Sequence, residues 1–307
     1  MTSFINALPG ALSQGLIWGI MAIGLYITYK ILDISDLTVD GSFCTGGAVC
    51  VTLMSAGYNM YFALLCAVLA GVAAGLVTGF FHTKCGIPAI LAGILTQLGL
   101  YSVNLAIMDM KANLFLSADK SSLLVSSWHL SDVLKGNLPF YRHPLISLGF
   151  ITVVIIGLLY WFFGTELGSS LRATGANTHM ARAQGINTGW CKVLGLALAN
   201  GLVALAGALM CQYNGAADIN MGRGAIVIGL AAIVIGQSLF KKIFHNFALK
   251  LLAVSIGAML YQAVIQAVIS LFNINTNYMK LLSALIVALF LAVPYWQKNI
   301  RKGGKVC

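Results

Sequence analysis

Almost the whole chain is divided into runs of apolar residues long enough to be transmembrane helices. A helix needs about 20 residues to cross about 30 Å of hydrocarbon. Such windows fall at 11–29, 38–56, 61–81, 88–108, 145–163, 191–212, 224–240, 251–272 and 280–296, with 38–56 and 224–240 the weakest. Inside lipid the backbone must satisfy its own hydrogen bonds, so each window reads as helix. Only 8% of the residues are charged and the mean hydropathy is +0.90. A water-soluble exterior calls for about 25% charged residues. The expected fold is therefore all-α: a polytopic transmembrane bundle of about nine spans (8–10), forming one domain over 1–307.

The net charge of +10 does not point to nucleic acid, because the basic residues lie between the apolar windows and report topology. With the N-terminus outside, the inner segments hold Lys30, Lys84, Arg172, Arg182, Lys192, Lys241, Lys242, Lys250, Lys298, Arg301, Lys302 and Lys305. The outer ones hold only Lys111, Lys120, Lys135, Arg142, Arg223 and Lys280. Lys and Arg favour the cytoplasmic side, so this orientation is preferred and the C-terminus lies inside. "YWFF" at 160–163 and "YW" at 295–296 then fall at inner ends, where amphipathic rings settle. The N-terminal "MTSFINALPG" has no basic region ahead of its apolar run, so the first span is expected to stay rather than be cleaved.

Small residues are spaced for close helix packing: Gly15 and Gly19 on one helix, Gly71, Gly75 and Gly79 on another. The seven cysteines mostly fall in apolar windows without C-x-x-C spacing and read as buried free thiols. Residues 111–144 form a long external loop with an apolar cluster at Leu123, Leu124, Val125, Trp128 and Leu130. It reads as a hairpin or surface helix packed on the bundle, or as a docking surface for an external protein.

Catalytic signatures are missing. No Gly-x-x-x-x-Gly-Lys-Ser/Thr, His-Glu-x-x-His or Gly-x-Ser-x-Gly occurs, and the five histidines fall in loops or at span ends. Ionisable residues in the membrane are then the functional candidates. Asp40, in "LTVDGSF", reads as the N-cap of the glycine-rich helix that follows or as a residue lining a transport route. Gly41, Ser42, Gly46 and Gly47 would let a broken helix expose backbone to a cavity. Arg223 snorkels to the outer surface or pairs with Asp218. "LTVDGSFCTGGAVCV" and "INMGRGAIVIGLAAI" each place a charge and a glycine before small and β-branched residues, which hints at an internal repeat.

One polar stretch interrupts the apolar pattern: "GTELGSSLRATGANTHMARAQGIN" at 164–187, with Glu166, the single glutamate of the chain. The orientation puts the 164–190 loop inside. Its spacing predicts a helix through "ELGSSLRAT", a break at Gly175-Ala176-Asn177, and a second helix through "HMARAQ" ended by Gly185. Asn177 or Thr178 would cap the second helix. Leu167, Leu171, Met180 and Ala183, flanked by Arg172 and Arg182, give a small apolar face that fits either a groove on another protein or the end of the bundle.

This stretch, followed by "LGLALANGLVALAGAL", resembles the permeases of ABC importers of the branched-chain amino acid and ribose permease family. There a Leu-Gly-x-x-x-Arg-Ala-x-Gly-x-Asn-x-x-x-Ala-x-x-x-Gly-Ile segment is the cytoplasmic coupling loop. The matching positions are Leu167, Gly168, Arg172, Ala173, Gly175, Asn177, Ala181, Gly185 and Ile186, with Arg182 beside them. "TELGSSL" departs from relatives that carry another basic residue after the glycine. "ILDISDLTVDGSF" and "GAADINMGRGAIVIGLAAIVIGQSLF" are similar to the branch paired with lipoprotein binding proteins for tryptophan or tyrosine.

The resemblance implies a multi-pass permease of a bacterial cell membrane, working as a homodimer without catalytic or metal sites of its own. ATP and Mg would sit on a separate cytoplasmic ABC ATPase, and an extracytoplasmic binding protein would deliver a small solute, with an aromatic amino acid favoured. Asp40, Gly41, Ser42 and Arg223 are the candidates for the route. The competing readings are an ion- or proton-coupled secondary transporter and a non-transporting membrane scaffold or sensor.

Overall fold

In the computed structural model, helices form close to where the apolar windows place them. The structure describes residues 2–116, 123–127, 143–240 and 246–272, together with 281, 284–285 and 287–288. Most of the ninth window, Trp128, Leu130 and most of the 111–144 loop therefore lie outside the described residues. The element order is α1 (Thr2–Tyr26) with a π-helical turn (Ile27–Ile31), α2 (Thr38–Ser55), α3 (Met60–Thr83), α4 (Ala89–Ile107) and β1 (Asn113–Phe115). Then come α5 (Pro144–Gly164), α6 (Glu166–Ala176), α7 (Thr178–Ala183), α8 (Thr188–Asn214), β2 (Ala216–Asp218), α9 (Ala225–Phe240) and α10 (Phe247–Phe272).

Six helices among the described residues are long and apolar enough to cross a membrane: α1 with its π turn, α3, α4, α5, α8 and α10. The two weakest windows became the helices outside that set. α9 is apolar but only 16 residues long, and α2 carries Asp40 in its first turn.

Glycines decide which helices touch. A Cβ at Gly71, Gly75 or Gly79 of α3 would press on Asn200 and Ala204, on Leu196 and Ala197, or on Val193, all in α8. Gly15 and Gly19 of α1 meet Met259 and Ser255 of α10 in the same way. Between helices in lipid there is no water to expel, so close backbone approach through small residues supplies the attraction. Both glycine rows are thus used within the chain. Trp18 of α1 stacks on Phe43 of α2, with ring centroids 5.0 Å apart, inside a core shared by α1, α2, α5, α8 and α9.

The chain is mostly helical, with one small two-stranded sheet added. β1 and β2 pair antiparallel, with Asn113 opposite Asp218 and Phe115 opposite Ala216. Gly215, at φ +70°, ends α8 in the left-handed conformation that glycine tolerates and turns the chain into β2. Strands of three residues leave no periodic signature in a sequence. The described part of the external loop packs inward: Val125 is buried, and the Leu124 N–H donates to Gln212 Oε1 at 3.3 Å. Cys44, Cys50, Cys191 and Cys211 are buried free thiols.

Candidate functional site

The polar stretch at 164–187 folds as a two-helix hairpin between α5 and α8. Thr165 caps α6, its Oγ1 accepting from the Gly168 N–H at 3.4 Å and donating to the Phe162 carbonyl at 2.6 Å. The break comes at Asn177 alone. Its backbone is extended, and its side chain accepts from the His179 and Met180 amides at 3.0 and 3.1 Å, capping α7. Thr178 instead donates back to the Thr174 carbonyl. Gly185, at φ +80°, ends α7, and Asn187 caps α8 by accepting from the Trp190 N–H.

Gly175 is therefore not part of the break. It lies inside α6, where a Cβ would overlap the carbonyl oxygen of Ile31 and crowd Leu32. Gly168 also packs against backbone, of Phe162 and Phe163, though less tightly. Leu171 is fully buried near Gly195 of α8, and Ala181 is buried too. Ala173 and Ile186 are half-buried. The remaining predicted residues form the outer face: Leu167 is 51% and Met180 64% exposed, with Arg172, Asn177, Arg182 and Gly185 exposed around them. Both arginines are anchored at one point. Arg172 Nη2 donates to the Phe163 carbonyl at 2.7 Å, and Arg182 Nε donates to Thr188 Oγ1 at 2.9 Å. The hairpin is fixed to the bundle by its glycines and exposes two large apolar side chains and two arginines.

A second feature went unrecognised in the sequence. After α1 the helix widens into the π turn, with the Leu32 N–H donating to the Ile27 carbonyl, and the chain runs irregularly until Thr38. Asp33 in this link adopts φ +55°. Asp36 turns into the bundle and is only 3% exposed. Its Oδ1 accepts from the Thr38 N–H at 2.9 Å and its Oδ2 from Asn200 Nδ2 of α8 at 2.7 Å. Asn200 Oδ1 in turn accepts from Ser42 Oγ at 2.6 Å. Thr38 and Thr78 share a hydroxyl contact at 2.7 Å, and Thr78 donates to Thr96 at 2.9 Å. Buried side chains of α2, α3, α4 and α8 are thus joined in one polar network around a carboxylate. The available signal was Asn200, an amide in the middle of an apolar window that needs a partner there.

α2 is continuous, so the expectation of a helix broken at Gly41, Ser42, Gly46 and Gly47 is corrected. Gly46 packs on the Ala204 backbone, Gly41 faces Leu100 and Gln97 of α4, and Ser42 is held by Asn200. The irregular backbone lies just before, at 32–37. Asp40 caps a helix, but not its own. Its carboxylate accepts from the Gly224 and Ile226 amides, both at 3.1 Å, and closes the N-terminus of α9. Gly222 passes so close that a Cβ would overlap the Asp40 carbonyl. Arg223, in the same junction, is exposed, while Asp218 accepts from the Asn220 N–H at 2.6 Å. The two charge-and-glycine segments therefore meet each other.

Comparison with known proteins adds the decisive observation. The profile of the family described as "Branched-chain amino acid transport system / permease component" matches residues 8–292. The chain belongs to this permease family. The permease is 38% identical to the tyrosine transport system permease protein of Clostridioides difficile (strain R20291), over 97% of this chain and 95% of that one. It is also 38% identical to the uncharacterized protein RP368 of Rickettsia prowazekii (strain Madrid E), over 84% and 87% of the two chains. The autoinducer 2 import system permease protein LsrC of Salmonella paratyphi B is 27% identical over 76% of this chain and 63% of its own. Among solved structures, PsaBC from Streptococcus pneumoniae in complex with Fab superposes with a TM-score of 0.53 at 15% identity, covering 95% and 94% of the chains. That likeness speaks to the fold. The permease is a multi-pass membrane protein and a non-enzymatic subunit of an ABC-type transport system.

Proposed function

We propose that the permease imports an aromatic amino acid, with tyrosine first, in an ATP-driven system. A separate cytoplasmic ABC ATPase engages the 164–190 hairpin, and an extracytoplasmic binding protein delivers the solute. Two copies of the permease enclose the route, the N-terminus lies outside, and nine spans cross the membrane. The chain works as a single domain, and the α2 and α9 starts, joined through Asp40, mark two related halves. The observation that carries this reading is the outer face of α6 and α7. Leu167 and Met180 stand exposed, as do Arg172 and Arg182, on a hairpin held to the bundle through backbone contacts at Gly168 and Gly175. Exposed apolar side chains and cations carried on one hairpin suit a groove on a partner, and ATPase closure would tilt the hairpin together with α5 and α8. The substrate follows the tyrosine permease relative.

The test is co-purification of the ATPase with tagged permease from native membranes, comparing wild type with Leu167→Asp and Met180→Asp. These side chains are exposed, so the permease should stay folded while the ATPase is lost. An ATPase retained by both variants sinks the coupling role of the hairpin. The buried Asp36 supports a second reading, a proton-coupled transporter, because an intramembrane carboxylate is a usual proton carrier. Uptake that stops with an uncoupler while ATP remains high would favour that reading.

A further inference from the structure

A cavity of about 590 Å³ opens beside the hairpin, between the π turn of α1, the end of α5, α6 and the start of α10. Its polar wall is made by Tyr26, Lys30, Tyr160, Arg172, Asn246 and Lys250. The three cations come from three separate elements, and no carboxylate is among the described residues that line the cavity. Like charges gathered around one concavity repel each other unless an anion sits among them. Arg172 spends one guanidinium donor on the Phe163 carbonyl, and a guanidinium has four more. The surroundings fix the class of anion. Phe150, Val153, Leu158 and Trp161 form an exposed apolar face of α5 that runs up to the cavity, and Tyr160 and Trp161 stand at its end. Amphipathic rings at a helix end mark the level where hydrocarbon gives way to head groups. The cavity therefore lies where a lipid can place its chains along α5 and its head group among Lys30, Arg172 and Lys250.

We propose that this cavity is a binding site for the phosphodiester head group of an anionic phospholipid of the inner leaflet. Basic pockets between transmembrane helices on the cytoplasmic side take such head groups. The inference rests on the orientation proposed above, which puts all three cations inside. It makes the hairpin sensitive to the lipid around it, because Arg172 belongs to both.

The test uses full-length permease in phosphatidylcholine nanodiscs, with the motionally restricted fraction of spin-labelled phosphatidylglycerol or phosphatidylcholine read by electron paramagnetic resonance. Lys30→Gln, Lys250→Gln and the double variant are compared with wild type; Arg172 is left in place because of its proposed coupling role. Wild type is expected to prefer phosphatidylglycerol, and each substitution should lower that preference about fivefold. Unchanged thermal unfolding would confirm that these exposed positions leave the fold intact. Equal association of the two lipids with wild type, or an unchanged preference in the double variant, overturns the proposal. Displacement by millimolar inorganic phosphate at constant ionic strength would make the cavity a free-anion site and overturn the lipid assignment. Displacement by purified ATPase would assign the cavity to that partner and overturn it equally. Selective lipid binding by a permease that captures no ATPase would leave this proposal standing while the coupling reading falls.

Discussion

α5 and α8 flank the same hairpin and have nearly the same mean hydropathy, 2.4 and 2.1, yet they occupy opposite environments. In the apolar stretch of α8, 72% of residues are buried; in that of α5, 28% are. Hydropathy cannot separate them, because a lipid tail and a leucine side chain are equally apolar. Size does. Among its alanines α8 carries Gly207, which lets the Phe43 backbone of α2 come into contact, Gly201, which faces Val68 and Val72 of α3, and Gly195, which makes room for Leu32 and Leu171. α5 has bulky residues along its outer face, and nothing lies within 4 Å of a Cβ built at its Gly149 or Gly157. Between these two helices, it is the rows of small residues on α8 that mark contact and the bulky face of α5 that marks exposure.

The sharpest way to break this comparison is to put the same side chain on both helices. Gly207→Leu in α8 would drive into the Phe43 carbonyl and should destabilise the fold by about 3 kcal/mol or more. Gly157→Leu in α5 meets open space and should leave the melting temperature unchanged or raise it, because leucine favours helix over glycine by up to about 1 kcal/mol. Equal melting temperatures for the two variants in detergent would end the argument from size. A smaller loss is expected for Asp36→Ala. It leaves the Thr38 N–H and one of the two Asn200 Nδ2 protons without an acceptor in the interior, the other staying on the Leu196 carbonyl, at about 1–3 kcal/mol, and thermal unfolding in detergent would measure it. Asn177→Ala removes the α7 cap and should cost about 1 kcal/mol, confined to the hairpin. Faster amide exchange at His179 and Met180, with α8 unaffected, is the expected signature. The smallest effect belongs to Leu158→Ala on the outer face of α5, within about 0.5 kcal/mol of wild type by the same unfolding measurement.

What could be read from the sequence follows from the same physics. Helix length is imposed by the bilayer, so eight of the nine windows coincide with helices, most with ends within a few residues, as at 61–81 against Met60–Thr83, while α1 starts well ahead of its window, at Thr2. The glycine rows announced helix contacts, but not with which helix. In the hairpin, Asn177 and Gly185 were legible because a cap and a left-handed terminus each demand a residue type. Gly175 was misplaced because glycine serves turns and close contacts alike, and only the position of Ile31 distinguishes them. Asp40 was recognised as a cap, but the helix it caps lies 184 residues away along the chain, at the Gly224 amide. Asp36 was passed over because it stands between two apolar windows. A charge there reads as a loop residue until the fold shows that the link turns back into the bundle.

The contact at Gly175 has a mechanical side. α6 touches the end of α1 through backbone atoms, glycine against the Ile31 carbonyl, with no side chain between them. Side chains can change rotamer and absorb a small displacement; backbones in contact have no such slack. A push on α6 therefore reaches the π turn with little lost on the way. That turn leads straight into the 32–37 link, which holds Asp36 against Asn200. The hairpin and the buried carboxylate behave like two ends of one short lever, with its fulcrum at a residue that has no side chain at all.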